Sequence, residues 1–284
     1  MNAGALSMLW REAPVSFRLG VVLLAANIIL AALGPWISPY AQDMMMAGPP
    51  LQGASLAHPF GTDQLGRDIW SRALAGGWIV MTLSVCGTVL GMAVGAAIGL
   101  TSGIIGGWVD EVLMRLTEAI VAVPFLIFAL LIISIAGPSV QGSPLLLIFV
   151  VAAVYFPRIA RMARAAASDV VTRDFVLAAR LRGEGAWSIA RREVFPNTTG
   201  VLLVEFAIRA GYAPVLIGTL GFLGFGLKPP SPEWGLMMSE YRNLLVAQPM
   251  AVFGPGLLLA SLVIGLGFFT EGLSHILGKR SSFR

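Results

Sequence analysis

A single cysteine, Cys86, stands in a chain of 284 residues. That excludes an internal disulfide framework and any multi-cysteine zinc or iron–sulfur site. There are only two histidines, His58 and His275, too few for a polyhistidine metal centre within the chain. Charge is scarce as well. Asp, Glu, Lys and Arg together make 12%, about half the roughly 25% usual in soluble domains. No G-x-x-x-x-G-K-[ST] phosphate loop occurs, so the chain carries no such site for ATP hydrolysis. What is abundant is apolar. Hydrophobic residues reach 57% and the mean hydropathy is +0.82, which excludes both a water-soluble globule and a disordered chain. A net charge of +4 would suggest nucleic acid on a soluble protein. Here the basic residues serve to orient a membrane protein, and no nucleic-acid partner is expected.

A helix needs about 20 mostly apolar residues to cross a bilayer. Six stretches qualify, at about 19–37, 78–100, 116–136, 145–163, 201–222 and 250–269. The expectation is an all-α membrane protein with six transmembrane helices. An N-terminal segment (1–77) would hold the first helix and a loop, and a transmembrane domain (78–278) the rest. A cleaved signal peptide is the alternative for the first run, but the run is long and lacks a small-x-small site. In the second run Gly87, Gly91, Gly95 and Gly99 recur every four residues, on one face, where another helix can approach closely. The third run contains Glu118, expected to snorkel, and Pro124. The fourth is short and must continue through a kink at Pro157 toward Ala163. Pro124, Pro157 and Pro214 are candidate bend points. Cys86 reads as a small packing residue.

With the N-terminus inside, fourteen Lys and Arg fall on cytoplasmic pieces. Four, Arg67, Arg72, Lys228 and Arg242, fall on outer pieces, and Arg209 lies within a span. This imbalance predicts both termini in the cytoplasm. Most of the inner charge lies between the fourth and fifth spans, in RDFVLAARLRGEGAWSIARREVFPN (173–197). Phe175 to Leu181 reads as a short helix with Asp174 near its start. Phe175, Ala178, Ala179 and Arg182 share a face at i, i+3, i+4 and i+7, leaving a shallow apolar plateau. Gly183 and Gly185 break it. Ala186 to Phe195 reads as a second short helix, with Trp187 and Val194 as apolar contacts, ended by Pro196. Asn197 or Thr198 would then cap the fifth span. On physical grounds the loop fits either docking onto another protein or lying on anionic headgroups of membrane lipid.

That loop resembles the cytoplasmic loop of binding-protein-dependent ABC importer permeases. The family pattern is Glu-Ala-Ala, three residues, Gly, nine residues, Ile-x-Leu-Pro. It falls on Leu177-Ala178-Ala179, Gly183 and Glu193-Val194-Phe195-Pro196. Leu177, Glu193 and Phe195 depart from the pattern, while the spacings, the alanines, the glycine and the proline match. Two further stretches resemble the C-type permeases of dipeptide, oligopeptide and nickel importers. One is Gly61-Thr62-Asp63-Gln64-Leu65-Gly66-Arg67-Asp68. The other is Gly221 to Gly226 followed by Pro229-Pro230-Ser231-Pro232-Glu233-Trp234-Gly235. Trp10 to Ile37 resembles their leading segment.

The resemblance implies a type I ABC importer transmembrane fold carrying peptides across the inner membrane, with nickel or another small solute as the alternative cargo. It implies a second permease subunit, two ATP-binding subunits and an extracytoplasmic substrate-binding protein. ATP and magnesium would be held by those partners, and this chain would bind no cofactor or metal of its own. Phe175, Leu177, Ala178, Ala179, Gly183, Glu184 and Pro196 would form the ATPase-coupling loop. Gly61, Asp63, Gly66, Arg67, Asp68, Pro230, Trp234 and Gly235 would form the outer loop motifs.

Several residues keep two readings. Glu205 and Arg209, at i and i+4 in the fifth span, can pair to lower each other's cost in the membrane or face a polar translocation path. Arg67 can pair with Asp63 or Asp68 and pin its loop, or the loop can receive the binding protein. His58 can be structural or, for a nickel cargo, a ligand. Two other classes compete. An ion-coupled secondary transporter would need no docking loop and would usually show internal repeats. A membrane enzyme would need convergent acids, nucleophiles or metal ligands, and the carboxylates here are scattered.

Overall fold

The computed structural model describes residues 13–281, with side chains described as far as Ile276. Trp10, named above, lies outside that range. Among the described residues the elements are helical and no strand occurs. In chain order the first helices are α1 (Val15–Ile37), α2 (Ile69–Ile105), α3 (Gly107–Val121), α4 (Phe125–Ala136) and α5 (Pro144–Val171). They are followed by α6 (Asp174–Leu181), α7 (Ala186–Ile189), α8 (Phe195–Phe222), α9 (Trp234–Tyr241) and α10 (Pro249–Ser281). Five helical stretches are long and apolar enough to cross a membrane, or six if α3 and α4 make one span.

The helices outrun the apolar stretches that announce them. The second run begins nine residues before Trp78, at Ile69, and the fourth continues to Val171. The third is broken, since α3 and α4 meet at 93° across Ala122–Pro124. The physical reason is Pro124, which disfavours helical backbone at Val123 and is pre-shaped to start the next helix. Phe128 N–H donates to the Pro124 carbonyl, the first bond of that helix. Pro157 behaves differently and lies inside an unbroken α5.

The chain divides into two compact units. In the unit made of residues 86–135 and 148–209, the glycines of α2 form a seam against α5. A Cβ on Gly87 would sit 2.6 Å from Val151 Cβ, and one on Gly95 would sit 2.7 Å from Ile159 Cβ. At Gly99 it would be 2.2 Å from the Ala160 carbonyl, and at Gly103, a fifth member, 2.7 Å from Ala167 Cβ. No side chain fits this seam, and it grips α5 on both sides of Pro157, which explains why the helix is not interrupted there. Gly106 and Gly107, both at positive φ, turn the chain from α2 into α3. Arg164 then clamps α3 to α5 through two bonds to Asp110, of 3.0 and 2.6 Å, and Ser102 hydrogen-bonds the same carboxylate.

The other unit holds residues 13–85, 136–147 and 210–281. Here α1 and α10 pack by the same device. Gly20 lies against the Phe269 backbone, Gly265 against Leu23 and Gly272 against Phe17, whose ring stacks on Phe269. The core of this unit gathers Ile69, Ala73 and Val80 with Trp234, Met237, Tyr241 and Leu262. Cys86 corrects an expectation, because it is exposed on α2 rather than packed.

Candidate functional site

The arginine-rich loop builds a helix–glycine–helix shape from local rules. Asp174 occupies the first turn of α6 and Arg180 the last, each on the favourable side of the helix dipole. Gly183 N–H donates to the Arg180 carbonyl and Glu184 N–H to the Ala179 carbonyl. With Gly183 at φ +80°, this is a Schellman closure, which a glycine enters without strain. Nothing lies within 4 Å of where a Gly183 Cβ would stand, so conformation rather than space selects glycine there. Glu184 pairs with Arg182 at 2.7 Å and accepts from Ser188 at 2.8 Å. The Arg182 bond first, then Ser188, holds its carboxyl below the usual carboxylate range.

Two expectations for this loop are corrected. Ala179 is not on an exposed plateau. It is buried with Val176, Ile189, Val194, Ala167 and Val170 in a small core beneath α6. The outward face is Phe175, Leu177, Ala178 and Leu181, joined by Trp187, which is exposed rather than an inward contact. Pro196 does not end the second helix either. The helix runs from Ala186 to Phe222 as one stretch. A π-helical turn at Ala190–Val194 precedes the proline, with Phe195 N–H reaching the Ala190 carbonyl. The wider turn accommodates a residue that lacks an N–H and would crowd the carbonyl four residues back. Asn197 and Thr198 therefore lie inside the helix. Their side chains donate to the Glu193 and Phe195 carbonyls instead of capping.

Farther along α8, Arg209 Nε donates to Glu205 Oε1 at 2.6 Å, and Glu205 is buried. The pairing reading thus has its geometry. In the same unit an apolar groove of 1090 Å³ runs between α2 and the Ala186–Phe206 stretch, lined by Ala93, Ala97, Leu100, Trp187, Phe195 and Leu202 among others.

In the other unit, the segments 38–72 and 223–248 form a cap held by buried polar groups. Asp63 accepts from the backbone N–H of Leu65 and Arg67, from Arg67 Nε at 2.6 Å and from the Tyr241 hydroxyl at 3.1 Å. Asp68 takes no part in that pair. It accepts from Ser71 N–H and hydroxyl at the start of α2, and meets His58 Nδ1 at 2.9 Å. His58 also stacks on Tyr40, so its ring is used in structure. Burial opposes the Arg67 charge, but Asp63, Tyr241 and Glu240 outweigh it and hold the guanidinium above its ordinary range. Burial pushes the Tyr241 hydroxyl up strongly.

Gly61 and Gly66, both at positive φ, face the Gln52 and Gly48 carbonyls at 2.5 Å from an added Cβ. Trp234 Nε1 donates to the Ala73 carbonyl at 2.7 Å. Gly235 lies so close to Gly218 that a Cβ would stand 2.1 Å from its carbonyl oxygen.

Three members of this cap were not singled out from the sequence. Arg72 is fully buried, donating to the Gln42 and Pro230 carbonyls and pairing with Glu240 at 3.3 Å. Tyr241 closes the Asp63 cluster. Glu233 caps α9, accepting from Gly235 and Leu236 N–H at 2.7 and 2.8 Å. A Cβ on Gly221 would stand 2.0 Å from its carboxylate. Burial pushes the Glu233 carboxyl up to about 7 against the pull of those two N–H groups. The available signal was an acidic residue immediately before an apolar helical turn, a capping pattern.

Residues 87–283 match the family of binding-protein-dependent transport system inner membrane components, and the chain belongs to that family. It is a permease subunit of an ABC importer and a multi-pass protein of the inner membrane. Membership implies an ATPase and a substrate-binding protein as partners. The chain is 36% identical to the dipeptide transport system permease protein of Escherichia coli K12 over 267 residues, 92% of this chain and 88% of the relative. It is 33% identical to a putative peptide transport system permease protein of Brucella suis over 272 residues, 93% and 88% of the two chains. To the glutathione transport system permease protein of Shigella flexneri it is 35% identical over 255 residues, 89% and 82% of the two.

Proposed function

We propose that this chain imports peptides, forming half of a pathway completed by a second permease subunit and driven by two ATP-binding subunits. It crosses the membrane six times in a type I importer arrangement with both termini in the cytoplasm, α3 and α4 together counting as one crossing. The segment 1–77 supplies the first helix and an outer loop, and 78–278 the transmembrane domain proper. Peptide cargo is favoured over nickel or other small solutes by the names of the similar permeases. It is favoured too by His58, whose Nδ1 and ring face are taken up by Asp68 and Tyr40.

The observation that carries coupling is the exposed apolar face of α6, set on its own small core and closed by Gly183. Phe175, Leu177 and Ala178 meet the ATPase, with Leu181 and Trp187. Ala179, Glu184 and Pro196 shape the loop from within. When the ATPases close, the loop moves and drags the start of α8, and the groove beside α2 gives that helix room. Glu205 and Arg209 lie along the path as a paired, low-cost polar step.

Replacing Gly183 tests this. Gly183→Val places a β-branched residue at φ +80°, a cost of roughly 1–2 kcal/mol, whereas Asn tolerates that region. Gly183→Val is expected to lose most transport and ATPase stimulation while the protein stays in the membrane, and Gly183→Asn to keep most of both. Normal transport by Gly183→Val would overturn the assignment.

A further inference from the structure

The groove between α2 and the Ala186–Phe206 stretch lies wholly within one unit, the one that carries the arginine-rich loop. Its two walls run in opposite directions. α2 ends at Ile105 beside the loop, where Leu100 and Ile104 pack against the small core under α6. The other wall starts at that same end. Trp187, Arg191, Phe195, Thr199, Leu203 and Phe206 line it at intervals of three or four residues, so one helical face supplies them. Across from them Ala93, Ala96 and Ala97 are too small to fill the space.

The polar groups of the groove are few and lie mostly at one end. Its single charged side chain is Arg191, and its hydroxyls are those of Thr101 and Thr199. Arg191 is exposed and has no ion pair or side-chain hydrogen bond among the described residues. Arg173 and Arg182 of the same loop are paired, with Asp169 and Glu184. Arg191 sits one turn from Trp187, which is 79% exposed. From Arg191 to Phe206 the wall is about 22 Å long at roughly 1.5 Å per residue, near half of the roughly 40–45 Å of a bilayer with its headgroups. The groove is thus one leaflet long, with a cation and a Trp at headgroup depth and apolar walls beyond them.

These features select the occupant. A peptide would bring amide groups along its length that only two hydroxyls could meet, and that of Thr199 already donates to the Pro196 carbonyl at 2.8 Å. A zwitterionic lipid would offer Arg191 a phosphate screened by its own ammonium. An anionic phospholipid offers the phosphodiester without one, and a guanidinium can hold it through forked bonds. We infer that the groove is a binding site for an anionic phospholipid of the leaflet beside the arginine-rich loop, with its acyl chains along Ala93 and Ala97 and its phosphate at Arg191. Fluid chains fill the space against the start of α8 and yield when that helix moves. This deepens the coupling reading above and rests on it for the movement and for the side of the membrane.

The test uses the whole importer in nanodiscs of phosphatidylglycerol and phosphatidylethanolamine in equal parts. The photoreactive amino acid p-benzoylphenylalanine replaces Phe206, half-buried on the groove wall, and adducts are identified by mass. The expected adduct is phosphatidylglycerol over phosphatidylethanolamine by about fivefold, the preference one basic residue gives at an anionic surface. Adding Arg191→Gln should bring the two lipids to parity and Arg191→Lys should keep most of the preference. Arg192→Gln, a neighbour that does not line the groove, should leave it unchanged. Equal labelling of the two lipids without these substitutions, an adduct to the second permease or to peptide, or an equal loss with Arg192→Gln overturns the inference. A second measurement fills the groove. With Ala97→Trp, native mass spectrometry of the importer should show less retained phosphatidylglycerol, and unchanged retention overturns the inference. An importer that purifies without ATPase subunits counts against the import reading itself, whereas one that contains them and gives an overturning result ends this inference alone.

Discussion

The cap and the arginine-rich loop use polar residues in opposite ways. The cap buries them, with Arg72, Asp63, Arg67, Asp68 and Glu233 all inside and bonded to backbone groups or to neighbouring polar side chains. The loop keeps Arg173, Arg180, Arg182, Arg191 and Arg192 at the surface and sets apolar side chains among them. A buried polar network has few alternative arrangements, because each lost bond leaves an uncompensated group. A surface of exposed charges and apolar side chains costs little to deform and gains most when something covers it. The cap is thus a fixed plate, and the loop is the surface that the proposed coupling would use as a handle.

The largest expected effect breaks the plate. Asp63→Ala leaves the Arg67 charge buried without its partner and Tyr241 without its acceptor, a loss of about 3–5 kcal/mol. The expected outcome is a sharply lower thermal midpoint in detergent, or failure to accumulate. Arg182→Ala in the loop should leave that midpoint unchanged. Equal effects of the two would erase the distinction.

Glu233 sharpens the comparison through pH. Its folded carboxyl titrates near 7, against about 4.5 when unfolded. Between those values the folded state holds a proton that the unfolded state has released, so stability falls as pH rises through this window and levels off above it. The change is on the order of a few kcal/mol at most. The protection of α9 amides, taken relative to their intrinsic exchange rates, should fall from pH 5 to pH 7.5, and Glu233→Gln should flatten that dependence.

Within the loop, Ala179→Leu overfills the core under α6 at a cost of roughly 1–3 kcal/mol. Ala178→Leu, one residue away and exposed, should leave the unfolding midpoint in place while impairing ATPase stimulation. The smallest structural effect is expected of Leu181→Ser, which should leave melting unchanged and lower only coupling. If Ala178→Leu and Leu181→Ser both couple normally, the exposed face is not the handle's grip.

Much of this architecture was legible because it depends on near neighbours in sequence. The apolar runs announce the helices, since bilayer thickness sets a length that composition alone can satisfy. The four-residue glycine spacing announces the α2 seam, and Gly183 follows from how a helix must close. The boundaries were less legible, because extramembrane turns of α2, α5 and α8 carry polar residues that a hydropathy reading discards. Proline was ambiguous for the same reason. Pro124 breaks its helix, while Pro157 and Pro196 do not, and the difference lies in the α2 seam and the π turn rather than in the residue.

By itself, the sequence determined a bilayer-spanning helical chain and a basic loop of helix–glycine–helix form, and it offered the Glu205–Arg209 pair as one of two readings, all matters of composition or of contacts within one turn. Only the tertiary structure decided that Arg67 takes Asp63 and not Asp68, that Ala179 faces inward, and that Arg72 and Glu233 are buried. In the cap those outcomes depend on segments more than 150 residues apart, such as Ala73 with Trp234 and Asp63 with Tyr241, and Ala179 faces inward because α6 packs on the end of α5 and on Ile189 and Val194. A buried charge takes whichever partner the packed chain brings within hydrogen-bond reach, and local spacing carries no record of that choice.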